Sequence, residues 1–282
     1  SIFCFANFKP NQQLFMRKHL AILALICSPM LCFAQTKGKW LKGMYIQWGY
    51  NKEWYTRSNI HFRMSNGDRF TLHKAKAHDK PDYDDIFKTP GQISIPQYNY
   101  RIGFYLNKKR TKSVELNFDH IKYVVTDGQK LHVSGTINGV KADGDSIMNK
   151  ENFLHFEHTD GGNLLHINYA QQSTLIKNHA RTRPLVTLIW KAGAGINIPR
   201  TDFTWKGDRL NNNFHVAGYN ISAEAGARFY PARRFFLEFT GKSGYVRYAN
   251  ALADTEGSRG NRASHGIGYF ELVGTVGYDI YF

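Results

Sequence analysis

The stretch that most constrains this chain is its last sixteen residues, 267–282. Taken in steps of two, one face carries Phe270, Leu272, Gly274, Val276, Tyr278, Ile280 and Phe282, and the other carries Tyr269, Glu271, Val273, Thr275, Gly277, Asp279 and Tyr281. A helix repeats every 3.6 residues and cannot sort residues this way; a pleated strand repeats every two and does. Such a strand needs two environments at once. One face must lie against something apolar, and the other must lie where carboxylates are tolerated.

The same alternation recurs upstream. Residues 44–50 place Met44, Ile46, Trp48 and Tyr50 together. Residues 97–106 place Tyr98, Tyr100, Ile102, Phe104 and Leu106 against Asn99, Arg101 and Gly103. Residues 113–125 set Val114, Leu116 and Phe118 against Glu115, Asn117 and Asp119. Residues 164–173 set Leu165, Ile167 and Tyr169 against His166 and Asn168. Residues 185–198 set Val186, Leu188, Trp190, Ala192, Ala194 and Ile196 against Thr187, Lys191 and Asn197. Residues 216–229 set Ala217, Tyr219, Ile221, Ala223, Ala225, Ala227 and Phe229 against Asn220, Ser222, Glu224 and Arg228. Residues 235–248 set Phe235, Leu237 and Phe239 against Glu238, Thr240 and Lys242. No long stretch shows apolar residues at helical spacing. Mean hydropathy is low, −0.45. That does not argue against a membrane, because in a barrel only alternate residues meet lipid.

These segments and the aromatic final residue resemble small bacterial outer-membrane β-barrels of the OmpX/OmpW/OmpA type. The resemblance implies an all-β fold: a closed antiparallel transmembrane barrel, eight strands by this count, with long extracellular hairpins. It implies that both barrel termini face the periplasm and that Phe282 is an insertion signal read by the barrel-insertion machinery. Inner turns then fall at 107–112, 176–184 and 230–234. Outer excursions fall at 54–95, 126–163, 199–215 and 252–265. Two strand-like runs, 130–137 and 153–159, lie in the second excursion, and Asn66-Gly67, Asn138-Gly139 and Asp160-Gly161 read as hairpin turns. If those two runs entered the membrane the count would be ten; Lys130, His132, His155, Glu157 and His158 argue against it.

At the other end of the chain, Arg17, Lys18 and His19 precede an apolar run and a small residue, Ala34. Residues 1–34 read as an upstream extension plus a cleaved signal peptide between Met16 and Ala34, leaving 35–282 as one barrel domain. All three cysteines, Cys4, Cys27 and Cys32, fall in the removed part, so neither disulfides nor thiolate metal sites are expected. Removing Lys9, Arg17 and Lys18 and no acid lowers the formal charge from +15 to +12. In an exported chain such an excess suits outer-membrane lipids and lipopolysaccharide rather than nucleic acid.

The inward residues Arg101, Glu115, Lys191, Glu224, Arg228, Glu238, Lys242, Glu271 and Asp279 carry both signs on neighbouring strands. An eight-stranded barrel is just wide enough for side chains, so they are expected to form a polar network filling the lumen of a monomer. A structural or surface-interaction role follows, with no catalytic residue, no metal and no cofactor. His155 and His158, three apart on a strand, fall on opposite faces, and surface hydrogen bonding is the expected role for such histidines. His166 could pair across the Asp160-Gly161 turn with His155 or Glu157. The acidic residues Asp79, Asp82, Asp84 and Asp85, and Asp143-Gly-Asp145, lack the spacing of a calcium loop. The resemblance implies one alternative: a barrel-embedded lipid A-modifying acyl hydrolase or transferase using a His beside a Ser or Asn, with His120 at the top of a strand as the candidate. Aromatic girdles are expected from Phe229, Tyr230, Phe235, Phe236, Tyr281 and Phe282 at inner ends, and from Tyr123, Tyr219, Tyr245, Tyr248 and Tyr269 at outer ends.

Overall fold

The structure, a computed structural model, describes residues 42–81, 97–180 and 182–281. The signal-peptide reading, Asp82, Asp84, Asp85 and the insertion signal Phe282 lie outside them. The strands in chain order are β1 (Met44–Tyr55), β2 (Ser58–Arg63), β3 (Arg69–Ala75), β4 (Ala77–Asp79), β5 (Tyr98–Tyr105), β6 (Lys112–Asp119), β7 (Tyr123–Val125), β8 (Lys130–Ile137), β9 (Val140–Ile147), β10 (Leu154–His158), β11 (Gly162–Lys177), β12 (Pro184–Pro199), β13 (Asp202–Trp205), β14 (Asp208–Asn211), β15 (Gly218–Phe229), β16 (Phe235–Leu252) and β17 (Arg262–Ile280).

Eight of them close into a ring: β1-β5-β6-β11-β12-β15-β16-β17, with β17 returning to β1. Every neighbouring pair is antiparallel. The closing pair runs unbroken from Met44 opposite Ile280 to Tyr55 opposite Tyr269. Closure leaves no strand of the wall as a free edge, the condition an apolar surrounding imposes. The outward face is a band of exposed apolar side chains, among them Ile46, Ile167, Trp190, Ile221, Phe239 and Leu272. The inward face is polar and buried. These are the eight segments with sequence alternation, and the runs at 130–137 and 153–159 stand outside the ring.

One end of the ring is made of short turns, the other of long hairpins that fold into a cap. Strand β17 is long enough to serve both. Its residues 269–280 pair with β1 in the wall, whereas Arg262, Ala263 and Ser264 pair with β2. From there the same sheet continues through β2, β3, β8 and β9. A second sheet, β14-β13-β10-β7-β4, contributes the other half of a shared core. Ile60, Phe62, Phe70, Leu72 and Val133 from the first sheet meet Tyr123, Leu154, Phe156 and Phe203 from the second, with Val246, Tyr248 and Ile267 of β16 and β17 in the same cluster. Phe62 stacks on Phe203 at 5.5 Å and meets Phe156 edge-on at the same distance. The outer hairpins therefore bury a core of their own.

That cap corrects several expectations. The loop expected over 252–265 is shorter, 253–261, because β16 runs to Leu252 and β17 starts at Arg262. The wall strand starting near residue 113 stops at Asp119; Tyr123–Val125 leaves it to join the second sheet. Asp160-Gly161 is not a hairpin turn, since β10 and β11 belong to different sheets. His166 accordingly cannot meet His155; it points into the lumen beside Asp119 and Lys242. Asn138-Gly139 does close β8 onto β9, with φ of +53° and +73°, the left-handed pair that a tight hairpin needs.

Candidate functional site

The lumen holds two adjoining polar networks, one toward the turn end and one toward the cap. At the turn end, Tyr105 donates to Asp279 at 2.7 Å and lies 3.3 Å from Arg228 Nη1. Arg228 Nε donates to Glu238 at 2.7 Å. The other oxygen of Glu238 takes Lys191 at 2.7 Å and Arg101 at 3.2 Å. Arg101 also holds Glu224 at 2.6 Å, and Lys191 holds Glu115 at 3.1 Å. Above them Lys242 pairs with Asp119 and reaches Glu271 at 3.5 Å, and Asn51 caps Glu271 at 2.5 Å. The structure thus places all nine inward residues singled out above in the lumen, each buried; seven share the turn-end network, and Lys242 and Glu271 share the cap-end one.

Sequence reasoning assigned no role to several members of these networks. Asp119, Asn99 and Asn51 sit on inward faces and form the cap-end network with Lys242 and Glu271. Tyr45 donates to Glu115 at 2.8 Å. Tyr45, Tyr105, Tyr230 and Phe236 form a buried aromatic plug across the turn end, and the Arg228 guanidinium lies over Tyr45 and Phe236 at 4.6 and 4.1 Å. Tyr230 and Phe236 are therefore not part of a lipid-facing girdle. The plug has a backbone cause. Tyr45 faces Gly103 across β1 and β5, and Phe236 faces Gly277 across β16 and β17. A Cβ at either glycine would lie inside the facing ring, so only glycine lets these aromatics fold flat across the opening.

The outer aromatics divide similarly. Tyr219 and Tyr245 are exposed on the wall, but Tyr123, Tyr248 and Tyr269 are core residues of the cap. There they box in two histidines. His158 of β10 and His265 of β17 meet through their Nε2 atoms at 3.3 Å with ring planes 19° apart. Tyr248 lies against both rings at 4.6 and 4.8 Å. His158 is buried rather than on the surface, because β10 faces the sandwich core at that position; His265, expected in a loop, lies on a strand. Burial drives His158 down to about 3 and His265 well below the ordinary imidazole value, the latter also disfavoured by His158 and Arg247. His155, on the other side of β10, lies 2.9 Å from Asp127 and 3.2 Å from Glu157. Burial opposes its charge, but the hydrogen bonds to Glu157 and Asp127 win and raise it to about 9.

His120 follows β6 on the outward side. It stacks on Tyr98 with ring centroids 4.7 Å apart, and its Nδ1 lies 2.8 Å from Asn163 Oδ1. Among the described residues no group of three or more His, Cys, Asp or Glu is arranged to hold a metal ion, and no helix is long and apolar enough to cross a membrane, which bears on helices alone.

The cap sheet also presents a cationic surface. On the side away from the core, Arg57, His73, Lys74, Lys76, Lys130 and His132 line a cleft of about 520 Å³. Asp143 and Asp145 of β9 neutralise part of it, holding His132 at 3.2 Å and Lys130 at 3.1 Å.

No protein-family model matches the chain, and no curated protein matches it. Among solved structures it is similar to Neisserial surface protein A, at 10% identity over 85% of this chain and 97% of that one, with a TM-score of 0.35. It is similar to the outer membrane protein OprG from Pseudomonas aeruginosa, at 10% identity over 87% and 99%, with a TM-score of 0.38. It is also similar to Ail, the attachment invasion locus protein of Yersinia pestis, at 10% identity over 84% and 99%, with a TM-score of 0.32. The assignment rests on the chain's own geometry: a closed wall of eight antiparallel strands, apolar outside and polar inside, makes it a small β-barrel of the outer-membrane type.

Proposed function

We propose that this protein is a non-conducting barrel of the Gram-negative outer membrane that carries a folded cap as a contact surface. In this reading the short turns and both barrel termini face the periplasm, and the cap faces outward. The barrel works as a monomer, inserted by the barrel-insertion machinery and surrounded by outer-membrane lipids, with no part for nucleic acid. The observation that carries the reading is the sealed lumen. Two adjoining networks, holding Asp279 and Glu271 respectively, fill it and an aromatic plug crosses one end, so recognition falls to surfaces outside the lumen, the cap being the largest folded one. The cationic cleft there suits phosphate groups of lipopolysaccharide, whose charge complements Arg57, Lys74 and Lys76. Purified protein in planar bilayers is expected to give no steady conductance. Large stable channels, in a wall with too few strands for an open aqueous bore, would overturn the sealed-lumen reading.

The hydrogen bond between His120 and Asn163 favours one second reading, a lipid A-modifying acyl hydrolase or transferase with His120 as general base. Its Nδ1 is held by an amide and its ring by Tyr98, as an oriented base requires; among the described residues no Ser or Thr hydroxyl is hydrogen-bonded to it. If the protein is non-catalytic, His120→Ala leaves the lipid A mass profile of cells expressing it unchanged. Loss of a deacylated or acyl-transferred species on that change, with the barrel still folded, would establish the enzyme instead.

A further inference from the structure

The turn end of the barrel carries a second cationic site, opposite in position to the cap cleft. Three turns meet there: residues 106–111, 178–183 and 230–234. The first two share a sequence pattern, Asn107-Lys-Lys-Arg-Thr111 and Asn178-His-Ala-Arg-Thr182, and the same internal brace. In each, the Asn Oδ1 accepts the Thr backbone N–H four residues on at 2.9 Å, and the Asn Nδ2 lies within hydrogen-bond reach of that Thr hydroxyl, at 2.8 and 3.2 Å. The first brace holds the turn that carries Lys108, Lys109 and Arg110 in one conformation. Between the turns lies a cavity of about 270 Å³, whose lining includes Lys109, Arg110, Arg183, Arg233 and Tyr281.

The cations around this cavity are of two kinds. Arg183 is spent on structure, donating to the carbonyls of Tyr230 at 3.0 Å and Ala232 at 3.3 Å, which ties two turns together. Lys109, Arg110 and Arg233 make no side-chain hydrogen bond or ion pair among the described residues. Arg110 is nonetheless oriented: its guanidinium lies over the Tyr281 ring at 3.7 Å. Stacking occupies the flat face of a guanidinium and leaves its in-plane N–H donors free, the arrangement that suits a tetrahedral oxyanion. Its backbone sits at φ +55°, a conformation L-residues rarely adopt. The one carboxylate in the lining, Asp279, is already committed to the hydroxyls of Tyr105 at 2.7 Å and Tyr281 at 3.1 Å. Beneath the cavity stands the aromatic plug, so the cavity is a blind cup and not the mouth of a path.

We infer that this cup binds a phosphate group, with Arg110 and Arg233 as its principal donors and Lys109 adding charge. A phosphate diester of a lipid headgroup and a free phosphate present the same oxyanion to it, and the test separates them. Full-length protein purified in a neutral detergent is titrated calorimetrically at low ionic strength with inorganic phosphate and, separately, with a short-chain soluble phosphatidylglycerol. The double variant Arg110→Asn/Arg233→Gln is compared with wild type. Asn tolerates positive φ, so the turn is retained, and heat-modifiable mobility checks the fold. Saturable binding that weakens tenfold or more in the double variant is expected. Binding of the lipid probe alone identifies a headgroup; binding of inorganic phosphate as well identifies a site for the free ion. If the double variant does not fold, Arg233→Gln, whose side chain is exposed, is expected to weaken binding about threefold, as loss of one of two charge-assisted contacts implies. Absence of binding to both probes, binding that no turn-end variant changes, or binding abolished by Lys74→Gln in the cap cleft overturns the proposal.

Discussion

Replacing Glu238 with alanine is expected to lower the unfolding free energy of the barrel by about 3–5 kcal/mol, the cost of removing one partner from a buried ion pair. Glu238 is the junction of the lumen. One oxygen serves Arg228, and the other serves both Lys191 and Arg101. Without it three cations stand in a closed wall with Glu115 and Glu224 as their remaining near partners. Each charge would still be shielded from water by the plug at one end and by the paired Lys242 and Asp119 above. Glu238→Gln keeps two hydrogen-bonding positions and loses only the charge, so its cost should be smaller. Urea unfolding in lipid vesicles, followed by strand content, measures both. A midpoint for Glu238→Ala equal to wild type would mean that water enters freely and screens the cations, and the sealed-lumen reading would fall with it.

The wall was legible because its residues alternate between two extreme environments. Ile221 faces outward with about half of its surface open and Asn220 is fully enclosed; a period of two is the only way to satisfy both on one strand. The lumen faces could be read for the same reason, so the nine charged positions could be named, but their connections could not. Arg101 and Glu224 are 123 residues apart, and which inward side chains meet depends on register and on packing across the barrel. The plug was half legible. Phe235, Leu237 and Phe239 point outward, so Phe236 had to point inward, yet its aromatic character suggested a girdle. Only its partner Gly277, on the facing strand, shows why a large ring fits there.

The cap was the hardest part to read. Strand β9, Val140–Ile147, has an edge position and is largely exposed on both faces, so no apolar alternation marks it. Strands β4, β7, β13 and β14 are three or four residues long, too short for periodicity to show. Their apolar residues become a core only when two sheets from distant hairpins face one another. The same dependence hid the histidine pair: His158 and His265 are 107 residues apart, and neither has a local motif.

That pair sets the second large effect: the cap is expected to lose stability as pH falls from about 6.5 to 4.5, while at higher pH the two rings leave it undisturbed. Two imidazoles meeting through Nε2 at 3.3 Å need one donor and one acceptor, and burial disfavours charge on either, so the rings sit neutral in opposite tautomers. Their surroundings are Tyr123, Phe156 and Tyr248, with the Thr201 hydroxyl 3.1 Å from His158 Nδ1 and no hydrogen-bond partner for His265 Nδ1 among the described residues. Burial opposes an added proton, and the Glu157 charge, which alone favours one on His158, does not offset it. Burial depresses both values in the folded state, so below about 6.5 the unfolded cap binds protons that the folded cap refuses. Stability then falls by about 1.4 kcal/mol per pH unit for each proton taken up, or about 3 kcal/mol over two units for one ring and up to twice that for both. The neighbouring His155–Glu157 pair does not mimic this. His155, raised to about 9, contributes fully below 6.5 and loses its contribution as pH rises through 9. Glu157, opposed by burial but lowered to about 2 by His155 and Thr159, contributes fully above about 4.5 and loses its contribution only as pH falls toward 2. Between 4.5 and 6.5 both are constant; His61 on β2, lowered by partial burial, adds a decline of the same sign, so the share of the buried rings is read from the His265 variant. Hydrogen exchange of β10 and β13, compared with the wall strands at each pH, reads the decline directly. Replacing His265 with Phe, in a box already lined by aromatics, should remove about half of the rings' share of the slope. Equal exchange of the cap at pH 4.5 and 6.5 in the wild-type protein would show that the rings take up their protons without opening the sandwich.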